Sequence, residues 1–361
     1  MLSSTSSSDE RLPSAAWTPV LASAALIFVA FVVMLEMALA ARGYRPTVLD
    51  SESSWFKQRD RASALGSRAL IMIGASRIQL DLDLDALRAG TGLEPVQLAV
   101  NGSSSMPVLR DLVDDPTIRG TVLIDYYDGT ILGAEGEDDA ARYERDYKKR
   151  GKQVPSGNQM EEWLTSALHM RLRAYADGAS PLDSLRLRVL NPEATPQYLI
   201  TRPDRSRLAD YARVKMPDFL YARAIRDVGG GMALGPGANN DERRRAIEQR
   251  IDALLPLDNS AFESRVQVIG DLVALLRKRG VAVVFVRLPE SGYELEANDK
   301  RFPRMSYWDF FASRIGTSTV NFADIPALKY FECPDGSHLD YRDRQAFTER
   351  LAASLDLEKM Q

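Results

Sequence analysis

The chain contains two histidines, His169 and His338. Any proton transfer that needs an imidazole near neutral pH must use one of them. His338 ends the run Asp335-Gly336-Ser337-His338, which places a carboxylate three residues before the ring. A serine hydroxyl becomes a nucleophile only when a base takes its proton, and that base needs an acceptor on its far nitrogen to fix the tautomer. Ser76, in Gly74-Ala75-Ser76-Arg77, comes directly after an apolar run. The predicted chemistry is nucleophilic catalysis through Ser76, with His338 as general base and Asp335 orienting it. Cys333 is the single cysteine, which excludes an internal disulfide and a Cys-rich zinc site. Two histidines leave little room for a multi-His metal centre, and no cofactor is expected. His169, in the helical run Trp163–Arg173, reads as an ordinary helix residue. The alternation Asp81, Asp83, Asp85 lacks the glycine and distal glutamate of a calcium loop, so it reads as a helix N-cap with exposed carboxylates.

These residues need elements to bring them together. Short apolar runs bounded by glycine read as buried strands at 69–74, 95–100, 121–125, 281–288 and 320–323, most of them rich in Val or Ile as buried parallel strands are. Phe262, Val266, Ile269, Val273 and Leu276 form one helical face, and Arg277-Lys278-Arg279-Gly280 ends that helix directly before a strand. This is half of a βαβ crossover and predicts an α/β domain with a parallel sheet. A last helix is expected over about 341–357. Ser76 then falls just past the carboxyl end of the first strand, where open α/β sheets bind ligands. Residues 130–260 break the rhythm and read as a helical insertion with a hinge near 228–240. Its glycine cluster is neither a P-loop nor a GxGxxG turn. The charges at 142–152 read as a solvated face.

The chain has 361 residues, 46 Lys+Arg and 50 Asp+Glu, for a net charge of −4. Composition is globular, and the balance argues against nucleic acid as a partner. Residues 1–19 form a polar tail. Residues 20–41 are apolar over the length needed to cross a bilayer, with Trp17 at one end and Arg42, Tyr44 and Arg45 at the other. We read them as a signal anchor rather than a signal peptide cleaved at Ala38-Leu39-Ala40, because the run is long and little positive charge precedes it. Glu36 is expected to be solvated at the interface, and 42–68 to be a juxtamembrane connector. Only Arg11 precedes the span, whereas Arg42, Arg45, Lys57, Arg59 and Arg61 follow it, and this bias predicts a cytoplasmic body.

The Ser…Asp…His order occurs in α/β-hydrolases, but Gly74-Ala75-Ser76-Arg77-Ile78 lacks the second glycine of their GxSxG elbow. With Asp-x-x-His near the carboxyl terminus, the sequence instead resembles the SGNH hydrolase superfamily, in its membrane-anchored branch that modifies bacterial polysaccharides. The resemblance covers roughly 66–130 and 262–357 and implies a flavodoxin-like parallel sheet flanked by helices. Gly74-Ala75-Ser76-Arg77 matches the first block, with Ser76 as nucleophile and oxyanion donor. Val100-Asn101-Gly102-Ser103 matches the second, with Gly102 donating to the oxyanion. Asp335-Gly336-Ser337-His338 matches the last. The third block, Gly-x-Asn-Asp in the family, reads Asp125-Tyr126-Tyr127-Asp128-Gly129 here and has no asparagine. Losing one oxyanion donor costs about 100–1,000-fold in rate, so Asn101 or another group substitutes, or activity is weak. Arg77 and Arg287, at strand ends, are candidates for substrate contact, with a structural ion pair the alternative for Arg77. The family implies O-acyl transfer or ester hydrolysis on a surface or exopolysaccharide carbohydrate, a multispanning membrane acyl-donor partner, and an exported body held at the bacterial inner membrane, against the charge bias. The competing expectation is a non-catalytic assembly or carbohydrate-binding factor that keeps the fold.

Overall fold

A computed structural model describes residues 17–132, 138–150, 164–165, 167–228 and 237–355. The chain starts with helix α1 (Trp17–Ala41), which is long and apolar enough to span a membrane. Five parallel strands follow: β1 (Ala69–Ile73), β2 (Glu94–Gln97), β3 (Thr121–Asp125), β6 (Ala282–Arg287) and β7 (Ser318–Asn321), with β4 (Leu199–Thr201) and β5 (Arg207–Ala209) forming a separate antiparallel hairpin between β3 and β6. The sheet order is β2-β1-β3-β6-β7. β1, β3 and β6 are buried along their whole length, which is why each reads as an unbroken apolar run and not as an alternation. Helices cover both faces. Ile71, Ile73 and Val283 pack on one side, while Leu70, Met72 and Val284 pack on the other.

The strand expected over 95–100 ends at Gln97, although Leu98 and Val100 still donate to Met72 and Gly74 carbonyls at 2.9 and 3.0 Å. Pro95 has no N–H to give a second neighbour and is tolerated because β2 is an edge strand. Helix α2 (Glu52–Leu65) corrects the connector reading of 42–68. It buries Trp55, Arg59 and Ala62 on one face against the sheet domain. The Trp55 indole N–H donates to Leu98 O at 2.8 Å, and Arg59 pairs with Asp111 and Asp115. The helix predicted from the Phe262 to Leu276 face spans Ser260–Lys278 and buries all five of those residues. The last helix is shorter than expected, Arg344–Ser354, and residues 356–357 lie outside the described ones.

Within 130–260, the helix Asp139–Arg150 buries Ala140, Ala141 and Tyr143 and exposes its charged face. Trp163 and most of the 228–240 hinge lie outside the described residues. The hairpin and a helix at Asp218–Val228 lie over the carboxyl end of the sheet. Glu36 is not solvated: it accepts the Ala174 N–H at 2.7 Å and pairs with Arg173 at 3.3 Å.

Candidate active site

β1 ends at Ile73, and the chain must turn at once to begin the short helix Ser76–Asp81. Gly74 makes that turn at φ 148°, and a Cβ on it would lie 2.6 Å from Cβ of Asp125. The position therefore needs glycine for both conformation and space. This delivers Ser76 to the carboxyl edge of the central strand pair. From the far end of the sequence, the loop after β7 brings His338, whose Nε2 lies 2.9 Å from Ser76 Oγ. His338 Nδ1 is 2.9 Å from Asp335 Oδ2, and Asp335 Oδ1 accepts the backbone N–H groups of Ser337 and His338 at 3.0 and 2.8 Å. One carboxylate thus shapes its own loop and fixes the ring.

Two residues that the sequence did not single out hold Asp335 in place. Arg223, from the helix Asp218–Val228, lies 3.2 Å from Asp335 Oδ2 and donates to Ser337 Oγ at 2.7 Å. Tyr211, buried in the same lining, acts on Asp335 through its hydroxyl and lowers the carboxyl pKa. Burial alone would raise the Asp335 pKa, but the His338 hydrogen bond and charge, Arg223 and Tyr211 outweigh it and hold the group well below the usual carboxylate range. Burial lowers the His338 pKa, Asp335 opposes this, and Arg223 and Arg77 lower it further. The imidazole is therefore neutral at pH 7 and ready to accept a proton.

Ser76 and His338 open into a cavity of about 520 Å³, a size typical of small-ligand sites. Asn101 and Gly102 line it, with Gly102 at φ 68°. So do Tyr127 and Thr130 from the segment after β3, and Tyr198, Leu199, Arg207, Tyr211, Arg223, Arg226 and Asp227 from the insertion. No local signal marks those insertion residues, because only the fold places them near Ser76.

Arg77 borders the cavity but is committed below it. It pairs with Glu290 at 3.2 Å, donates to Leu288 O at 2.6 Å, approaches Asp125 at 3.9 Å and lies over the Tyr127 ring. Arg287, a candidate for substrate contact, is buried and paired with Glu290 at 2.9 Å, away from the cavity lining. Its direction is set by a carboxylate on the same loop. At the third block, Asp125 lies under Gly74, its pKa raised to about 7 by burial, with Arg77 lowering and Glu290 raising it. Tyr126 donates to Asp128, whose pKa burial raises to about 6. Asp81 is not an exposed carboxylate: it is buried and accepts the Leu339 N–H at 2.9 Å, which ties the helix that begins at Ser76 to the His338 loop. Asp83 does cap the next helix, accepting from Asp85 and Ala86 N–H. His169 is buried beside Tyr175, remote from this site. The chain matches no protein-family model and no curated protein.

Proposed function

We propose that this chain is a membrane-anchored, SGNH-like serine O-acyltransferase or acyl-ester hydrolase acting on a cell-surface or exopolysaccharide carbohydrate. The observation that carries the reading is the Ser76–His338–Asp335 relay, assembled from residues 262 positions apart at the carboxyl end of a parallel sheet. Counted within the sheet, the strand order is 2-1-3-4-5, a doubly wound arrangement that supports the flavodoxin-like part of the reading.

In the proposed cycle, His338 Nε2 takes the Ser76 Oγ proton as Oγ forms a bond to the acyl carbonyl carbon. The carbonyl electrons move to oxygen, where the amides of Ser76 and Gly102, with Asn101, would receive the charge. Collapse breaks the bond to the leaving alkoxide, which takes the proton back from His338. A sugar hydroxyl or water repeats the sequence on the acyl-serine and restores Ser76. Transferase and hydrolase differ only in that second acceptor, and a multispanning membrane protein is the proposed acyl source for transfer.

The proposed location is the bacterial inner membrane with the body outside the cytoplasm. The positive charges that follow the span argue otherwise, but long loops and domains translocate largely regardless of charge. The absent third-block asparagine favours a second reading, a non-catalytic carbohydrate-binding or assembly factor. A fluorophosphonate probe on the full-length protein separates the two. Covalent labelling at Ser76 supports the enzyme, and a folded, unlabelled protein supports the scaffold.

A further inference from the structure

Four arginines line the cavity. Arg77 is neutralised by Glu290, Arg223 by Asp335 and Arg226 by Asp227. Arg207, on β5, is the one among them with no anionic partner among the described residues, and its Nε is buried without an acceptor. The carboxylates whose charge acts on it are engaged elsewhere: Asp50 by Arg205 at 2.6 Å and Gln79 at 2.9 Å, and Asp177 by Arg188 at 3.2 Å. Burial of this unpaired cation lowers its pKa. On another wall, Glu294 is already supplied with donors by Tyr127 and Asn298. A half-buried guanidinium without a counter-ion is costly to maintain, and its planar fork matches a carboxylate or phosphate.

We propose that Arg207 binds an anionic group, carboxylate or phosphate, on the saccharide that enters this cavity; this rests on the carbohydrate reading above. Tyr198 and Tyr211 line the same cavity. The test uses full-length Ser76→Ala protein, so that no acyl chemistry is needed and the result is independent of catalysis. Calorimetry compares trigalacturonate, its neutral methyl ester and a phosphorylated trisaccharide. At least one anionic ligand is expected to bind about tenfold more tightly than the ester, and whichever does so identifies the group. Adding Arg207→Gln should bring that ligand within about twofold of the ester, whereas Arg207→Lys should keep part of the preference. Equal binding of acid and ester, no binding of either anion, or a preference that survives Arg207→Gln overturns the proposal.

At the other end of the insertion, different residues meet α1. Phe31, Leu35 and Leu39 pack with Ala174, Tyr175, Leu185 and Val189. At 1.5 Å per residue, Phe31 lies about 15 Å from the Ala41 end of the 25-residue helix. Hydrocarbon about 30 Å thick, centred on α1, ends only about 4 Å from Ala41. Side chains packed at the level of Phe31 and Leu35 are then inside the leaflet. On the same segment Leu182, Leu187 and Leu190 are 69%, 57% and 67% exposed.

We infer that residues 181–190 are bedded in the lipid leaflet beside α1, as an interfacial element that fixes the height of the body over the bilayer. Spin labels at Leu187→Cys and Leu190→Cys, in full-length Cys333→Ala protein in nanodiscs, read depth directly. Collisions with oxygen are expected to exceed those with a water-soluble nickel chelate several-fold, with the reverse for a label at the exposed Leu255. Nickel access at 187 and 190 equal to that at 255 overturns the inference.

Discussion

In the proposed cycle Ser76 and His338 each supply a step that the other requires, so either alanine substitution is expected to lower acyl-ester turnover by roughly 10³–10⁶-fold, and the double mutant should lose little more. Losses that multiply would sink the nucleophile–base pairing. Asp335→Asn should cost a similar amount or less, with the fold intact by circular dichroism, because it acts through the ring's orientation and charge. Arg223 has a distinct signature. Its charge helps keep the His338 pKa low, and a base must be neutral to work, so activity rises as pH rises through that pKa. Arg223→Gln should move this rising limb to higher pH, and an unmoved limb would mean that the arginine serves packing alone. Asp125 titrates in the opposite sense for stability. Its folded pKa, about 7, is above the ordinary 3.8, so its contribution is full below the unfolded value and is lost as pH climbs to about 7. Asp125→Asn should flatten that decline in urea-unfolding free energy measured from pH 4 to 8. The triad was legible in the sequence because Asp-x-x-His is local and Ser76 sits at a strand end. Arg223 and Tyr211 were not, because nothing near them in sequence records what lies across the cavity.

At the scale of elements, continuous apolar runs identified the sheet, since strands buried on both faces have no polar side to dilute the signal. Helix α2 is hard to read from sequence for the converse reason. Its buried face is Trp55, Arg59 and Ala62, at helical spacing, but the arginine in the middle reads as solvent-facing until Asp111 and Asp115 are known to meet it. Asp81 misled in the same way, since a buried carboxylate capping a distant N–H looks like an exposed one. If α2 is part of the fold and not a tether, Trp55→Ala should destabilise the body by about 3–5 kcal/mol in urea unfolding, as losing a buried aromatic does. A loss under about 1 kcal/mol would return the segment to the connector reading.

For the whole molecule, the contacts of Glu36, Leu35 and Leu39 make α1 a structural part of the body, and Leu39, in the middle of the small-residue cleavage candidate, is fully buried. The mature chain is therefore expected to retain residues before 38 on intact-mass measurement. A periplasmic-only reporter fused after Gln361 should be active and a cytoplasmic-only one silent; the reverse would remove the surface-carbohydrate reading, because its acceptors lie outside the cytoplasm. The distance along the chain between nucleophile and base also has a meaning in time. Ser76 is synthesised 262 residues ahead of His338, an interval on the order of 10–50 s at 5–20 residues per second. Throughout that interval the serine has no base, and the carboxylate that will steer the base does not yet exist. On the proposed mechanism, a ribosome-bound or truncated product carries an inert hydroxyl, and reactivity comes only when the segment that carries Asp335 and His338 docks on the sheet.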